Sequence, residues 1–297
     1  MEYRGDADIS KSRVRYGGGS GGRGGRGGKV AVGGGLGGIL VLLLALFFGS
    51  DIGDLLGTAQ QPQPQQSQQQ GGAECQTAAD IEQNRDCRWQ AYDVALTNYW
   101  QSAFESGFKP IEAMNIFTGQ IATACGTGSS EMGPFYCPGD YEIYVDDDYM
   151  GQLLAQLGTE RSDAAELYIV GHEYGHHISN LTGDMAKARA GGNQTGPKSG
   201  QVRLELQADC YAGVFFNNTL KDPSSPIASV TQDDLDRIVA AARAVGDDHI
   251  QAQSTGRVVP ESWTHGSSQM RQYWVAIGFN SGDPGSCDTF STDQLGG

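Results

Sequence analysis

The sequence predicts an α+β fold, mainly helical with a small sheet, set behind a single N-terminal transmembrane helix. Three observations carry this reading. Apolar residues recur at helical spacing over most of the C-terminal two-thirds, one short stretch alternates as a strand does, and residues 30–48 hold no charge. A chain of 297 residues is long enough for one substantial core. The net charge of −15 is uneven: residues 1–29 carry seven Lys or Arg against three acids, leaving −19 on the rest. An acidic body repels phosphate backbones, so no nucleic-acid partner is expected for the C-terminal domain.

Residues 1–29 read as a basic Gly/Arg-rich tail, nearly all Gly from Gly17 to Gly28. Val30 to Phe48 are nineteen uncharged residues, enough at about 1.5 Å each to span a bilayer core of about 30 Å. The lipid bilayer is therefore an expected partner through residues 30–48. Positive charge ahead of the span places the N-terminus in the cytoplasm and the following domain outside. The run is long for a signal peptide and no clean Ala-x-Ala site follows, so an uncleaved anchor is expected, with secretion after cleavage as the alternative. Residues 49–72, rich in Gln, Pro and Gly, read as a linker that buries no core, which leaves residues 73–297 as the folded domain.

Six cysteines follow the apolar segment: Cys75, Cys87, Cys125, Cys137, Cys210 and Cys287. An even count in an exported domain points to three disulfides, one of about fifteen pairings. Closeness in sequence favours Cys75–Cys87 and Cys125–Cys137, leaving Cys210–Cys287.

Within the domain, Ala78 to Ser106 is helix-permissive and places Trp89, Tyr92, Leu96 and Tyr99 at helical spacing, as core residues are. Tyr141 to Asp146 alternates and is β-branched or aromatic, so it reads as a strand. Asp146, Asp147 and Asp148 fit no EF-hand spacing and read as a solvated turn rather than a Ca²⁺ site. A helix begins at Asp163 and stops near Asn180–Gly183. Gly171 and Gly175, one turn apart on it, would let a neighbouring element come close. Lys187 to Gly200 reads as a polar loop, followed by helices at Val202–Leu220, Asp233–Val245 and Ser267–Phe279.

The chemistry concentrates in residues 171–177, Gly-His-Glu-Tyr-Gly-His-His, which contain His-Glu-x-x-His. On a helix His172 and His176 stack one turn apart, so both imidazoles reach one Zn²⁺, and Glu173 stands beside the metal as a base for its water. Catalytic zinc takes three protein ligands and keeps a position for water. The third is expected from Glu205, with Asp209 one turn on holding a zinc-bound His by its other ring nitrogen. His177 points about 100° away from the ligand face and reads as packing. His265, in Trp-Thr-His-Gly, is a candidate donor to a tetrahedral oxyanion, and a structural His is the equal alternative.

The order His-Glu-x-x-His and then Glu-x-x-x-Asp is the gluzincin pattern and resembles thermolysin-like enzymes. With it come Thr123-Ala124-Cys125-Gly126, Gly133-Pro134-Phe135-Tyr136-Cys137-Pro138, the run Glu205 to Gly213, and Thr264-His265-Gly266-Ser267-Ser268. Together these resemble the bacterial neutral zinc metallopeptidase family over residues 75–297. The resemblance implies a zincin-like metallopeptidase domain, one Zn²⁺ per chain and a peptide or protein substrate. It also implies that the strand at Tyr141–Asp146 is a sheet edge on which substrate backbone pairs. The expected protein is a membrane-anchored extracytoplasmic zinc metallopeptidase. The alternatives are a zinc-containing but non-catalytic envelope scaffold and a cell-wall peptide amidase.

Overall fold

The computed structural model describes residues 1–17, 75–192 and 194–297. The chain opens with strands β1 (Glu2–Tyr3) and β2 (Val14–Tyr16) and resumes in helix α1 (Cys87–Ala103). Five strands follow: β3 (Ala113–Phe117), β4 (Gln120–Thr123), β5 (Gly126–Ser129), β6 (Phe135–Cys137) and β7 (Glu142–Asp146). Then come α2 (Asp147–Gln156), α3 (Asp163–Thr182), α4 (Asp184–Ala190) and α5 (Gly200–Thr219). Strand β8 (Ile227–Ser229) and helices α6 (Gln232–Ala244), α7 (Asp247–Thr255) and α8 (Ser268–Ser281) complete it. Among the described residues the fold is mixed α/β, with eight α-helices and small sheets.

The helix boundaries follow local chemistry. Ser162, Ser199 and Ser267 cap α3, α5 and α8, each hydroxyl accepting from a backbone N–H three residues on. Gly183 closes α3 at a φ of 85°, the left-handed conformation that glycine adopts without penalty. The expected helix over Ala78–Ser106 is divided into a short 3-10 turn at Ala78–Glu82 and α1.

The main sheet has the order β2-β3-β7-β6, with β2, β3 and β7 parallel and β6 antiparallel to β7. Strand β7 is therefore interior, which corrects its expected place at a sheet edge. The edges are β2 and β6, each of three residues, too few to show alternation in sequence. Phe135 of β6 stacks on Tyr144 of β7 at 4.9 Å between ring centroids. The acidic triplet is likewise corrected. Asp146 caps α2 by accepting from the Tyr149 amide at 2.9 Å, and Asp147 pairs with Arg88 and Arg161. It is the start of a helix rather than a solvated turn. The first part of the expected 187–200 loop is the end of α4.

Helices α3 and α5 cross closely, as Gly171 and Gly175 suggested. A Cβ at Gly175 would lie 2.8 Å from the Ala208 Cα and 2.9 Å from its carbonyl, closer than real atoms pack. One turn back, a Cβ at Gly171 would sit at an ordinary 3.6 Å from Ala212. On its far side α5 packs against α8, where a Cβ at Gly278 would overlap the Cys210 carbonyl. All three expected disulfides form, Cys75–Cys87, Cys125–Cys137 and Cys210–Cys287.

The N-terminal segment overturns the expected topology. Strand β2 runs beside β3 with Val14 opposite Met114 and Tyr16 opposite Ile116, and β1 pairs antiparallel with β8. The Arg13 amide and the Ser12 hydroxyl donate to Asp93, which is fully buried on α1, at 2.5 and 2.9 Å. The Tyr3 hydroxyl donates to Asp163 at 2.8 Å. Residues 1–17 thus lie in the same body as the domain that follows, so a bilayer cannot separate them as a cytoplasmic tail from an extracytoplasmic domain. Among the described residues no helix is long and apolar enough to cross a membrane. The single-pass anchor, and the localisation built on it, are corrected accordingly; residues 30–48 and the linker at 49–72 lie outside the described residues. The basic residues that read as a topological signal serve as partners instead, Arg15 pairing with Glu142 at 2.8 Å and Arg4 donating to the Pro223 carbonyl.

Two outcomes follow from this packing. Gly175→Ala should destabilise the protein by about 1–3 kcal/mol through overpacking, whereas Gly171→Ala should be neutral or slightly stabilising through helix propensity. Thermal unfolding of the two variants side by side checks this, and equal melting temperatures would refute the close crossing. Removing residues 1–17 takes two donors from the buried Asp93 carboxylate, so the truncated chain should lose at least about 3 kcal/mol. An unchanged melting temperature after that truncation would show that the segment is not structural.

Candidate metal centre and active-site cavity

The close crossing brings one turn of α3 against one turn of α5. His172 and His176 face Glu205, with His172 Nε2 3.1 Å from Oε2 and His176 Nε2 3.5 Å from Oε1. The three ligand atoms lie within 4.8 Å of one another and all three residues are buried. Two imidazoles converging on one carboxylate is the donor set that Zn²⁺ takes in catalytic sites. A second feature fits the same group. Glu173 Oε2 is buried beside the cluster and has no hydrogen-bond partner, a costly state unless something else is to be bound there. The residues present therefore fit a zinc ion with a water-handling carboxylate next to it.

Asp209 is the hub behind the candidate ligands. It accepts from His172 Nδ1 at 2.8 Å, from the Tyr168 hydroxyl at 2.6 Å, and from Arg271 Nε and Nη2 at 2.8 Å each. The bond to Nδ1 fixes the His172 tautomer that leaves Nε2 bare toward Glu205. Glu205 is itself held by the Gln201 amide, which donates to Oε1 at 2.8 Å from one turn earlier on α5.

The electrostatics favour a cation at this point. Burial works against charge on His172, yet the Asp209 and Glu205 carboxylates outweigh it and hold the imidazole up at about 9. Burial also opposes ionisation of Glu205, but His176, His265 and His172 hold it well below the usual carboxylate range. Asp209 is held at about 2, burial being outweighed by Arg271 and His172. The field that stabilises a proton on His172 also stabilises a dication at its Nε2, so metal and proton compete for the site. Glu173 differs, because burial raises it and the two imidazoles and the Tyr136 amide pull it only part of the way back.

His265 reaches the same cavity from the loop before α8. Asp247, fully buried at the start of α7, gathers the amides of Thr264, His265 and Gly266 onto one oxygen at 2.7, 2.7 and 3.0 Å. His265 Nδ1 lies 2.9 Å from the Thr264 hydroxyl and 3.3 Å from Asp247, which turns the opposite edge of the ring to the cavity. His177 lies off the ligand face as its angle implied. Its Nε2 donates to the Lys109 carbonyl at 2.7 Å and its Nδ1 meets the Tyr136 hydroxyl at 3.0 Å. Cys210 is occupied by its disulfide.

Sequence reasoning missed Arg271, Tyr168, Gln201 and Asp247. Two of them carry a legible signal, since Tyr168 precedes His172 and Gln201 precedes Glu205 by one turn. Arg271 lies 62 residues beyond Asp209 and has no local signal.

The family described as putative neutral zinc metallopeptidase matches residues 1–290, and the chain belongs to it. The match begins at the first residue, in keeping with the N-terminal strands being part of the fold. The uncharacterized protein Rv2575 of Mycobacterium tuberculosis is 42% identical over 260 residues, covering 85% of this chain and 87% of its own. The uncharacterized protein YpfJ of Escherichia coli K12 is 37% identical over 265 residues, covering 86% of both chains. No solved structure matches this chain.

Asp209→Asn keeps the shape of the hub and removes its charge. Zinc affinity, measured by competition with a chromogenic chelator, should fall about 10–100-fold. An unchanged affinity would remove Asp209 from the support of the metal centre.

Proposed function

We propose that this protein is a zinc-dependent peptidase that hydrolyses peptide bonds with Glu173 as the general base. His172, His176 and Glu205 would hold the metal, and Asp209 would orient His172. When bound, zinc lowers the pKa of a water and polarises the scissile carbonyl. Glu173 accepts the proton from that water and returns it to the leaving amine. Its raised proton affinity suits the second half of this exchange as well as the first. His265, held by Asp247, donates to the developing oxyanion through the edge of its ring that faces the cavity.

The observation that carries the reading is Glu173 Oε2, buried without a hydrogen-bond partner in the cavity that the three candidate ligands line. A structural zinc site needs no such group and closes with a fourth protein ligand, often cysteine. Among the described residues the cluster offers three ligands, and the neighbouring Cys210 is spent in a disulfide. Both points weigh against the scaffold alternative.

Two substitutions separate metal binding from chemistry. Glu205→Ala should remove most of the bound zinc, because two imidazoles alone hold it far less well; full occupancy by atomic absorption would exclude Glu205 as a ligand. Glu173→Gln should keep the zinc and lower peptide hydrolysis by at least about two orders of magnitude. Undiminished hydrolysis in a zinc-loaded Glu173→Gln variant would sink the mechanism.

A further inference from the structure

We infer that Tyr136 is a positioning residue for the proposed general base: it holds the Glu173 carboxylate in place while Oε2 stays open to water. The inference rests on the peptidase reading and adds to it a residue outside the candidate ligand cluster. The face of α3 next to the ligand face carries Glu173, His177 and Asn180, which stack at i, i+4 and i+7. Tyr136 of β6 lies along this face and meets all three. Its backbone amide donates to the Glu173 carboxylate, whose Oε2 has no hydrogen-bond partner. Its hydroxyl lies 3.0 Å from His177 Nδ1 and accepts from Asn180 Nδ2 at 3.0 Å.

The directions of these bonds are fixed. His177 Nε2 lies 2.7 Å from the Lys109 carbonyl, which can only accept, so Nε2 carries the proton and Nδ1 of the neutral ring is an acceptor. The Tyr136 hydroxyl therefore donates to Nδ1 while its oxygen takes the Asn180 proton. Tyr136 and His177 are both buried, and the rings of Tyr136, Tyr141 and Tyr174 surround the imidazole at 5.4, 6.0 and 5.5 Å between centroids. A histidine kept for packing alone would need neither the paired hydroxyl nor the Lys109 carbonyl, because an apolar side chain of the same shape would serve. The strand needs this hold. β6 has three residues, and the sheet supports it on one side only, through β7. Displacing it would carry the Tyr136 amide off Glu173 and leave the carboxylate free to turn. A base misplaced by about 1 Å can cost on the order of 100-fold in rate.

Tyr136→Phe keeps the amide and the ring and deletes the hydroxyl alone. On the full chain, amide exchange at residue 136, followed by NMR, should quicken at least about tenfold in this variant while exchange in β7 is unchanged. On the zinc-loaded chain, kcat for fluorescein-labelled casein should fall about tenfold, with KM and zinc content unchanged. In the Glu173→Gln background the same substitution should change hydrolysis less than about twofold, because a residue that acts through Glu173 has nothing left to position. His177→Leu should reproduce the loss. His177→Asn, which sets an acceptor near the place of Nδ1, should keep kcat within about threefold of the wild type. Equal losses from Tyr136→Phe with and without the Glu173 carboxylate would mark a general structural effect and overturn the inference, as would unchanged exchange at residue 136. Casein left intact by the zinc-loaded wild type would overturn the peptidase reading, and the exchange measurement would still decide whether the hydroxyl holds the amide to Glu173.

Discussion

Asp209 is a fully buried carboxylate on which three helices converge. It belongs to α5, it accepts from His172 and Tyr168 of α3, and it takes a bidentate pair of bonds from Arg271 of α8. An unpaired charge at that depth would cost many kcal/mol, so the carboxylate constrains all three partners to stay where they are. The helix crossings make this possible. Gly175 against Ala208 lets α3 and α5 approach until ligand side chains from both can meet, and Gly278 lets α8 lie close enough for Arg271 to reach through. Packing and electrostatics are one arrangement here, since losing either the small residues or the charge would separate His172 from Glu205.

The distribution of charge around the hub divides the site into parts with different tasks. Arg271 neutralises Asp209, which leaves the Glu205 carboxylate and two imidazoles as a donor set that a dication could take. Glu173 sits one position along α3 from the first ligand, buried, yet outside this neutralised set. Its carboxyl is therefore the one acid of the group whose proton affinity is raised, while those of Asp209 and Glu205 are lowered. Environments that push neighbouring carboxylates apart in this way are how an active site assigns a ligand and a base from the same residue type.

The N-terminal residues show how a local rule fails when its residues have a tertiary use. Arg4, Arg13 and Arg15 count toward a positive-inside signal by composition. In the fold Arg15 pairs with Glu142, Arg4 holds the Pro223 carbonyl, and the Arg13 amide satisfies Asp93. Strand β2 adds an edge to the main sheet and so belongs to the domain that carries the candidate metal site.

What the chain's order of residues determined by itself was local or periodic. His172, Glu173 and His176 are placed by the helical repeat alone, as are Glu205 and Asp209, because side chains one turn apart must share a face. The caps, the stop at Gly183 and the direction of His177 follow from the same geometry, and the disulfides joined cysteines near in sequence and then the remaining pair. Tertiary structure decided everything that needed two distant segments to meet. It set β7 inside the sheet and β6 at its edge, because strand order depends on partners that no single strand encodes. It brought Arg271 and Asp247 to the site across many residues, where only the packing of α8 on α5, and of α7 beside α8, gives them a role. It also made Asp146 a helix cap and the basic N-terminus a strand, since a charged residue's function is fixed by the group it meets, and that meeting is made by the fold.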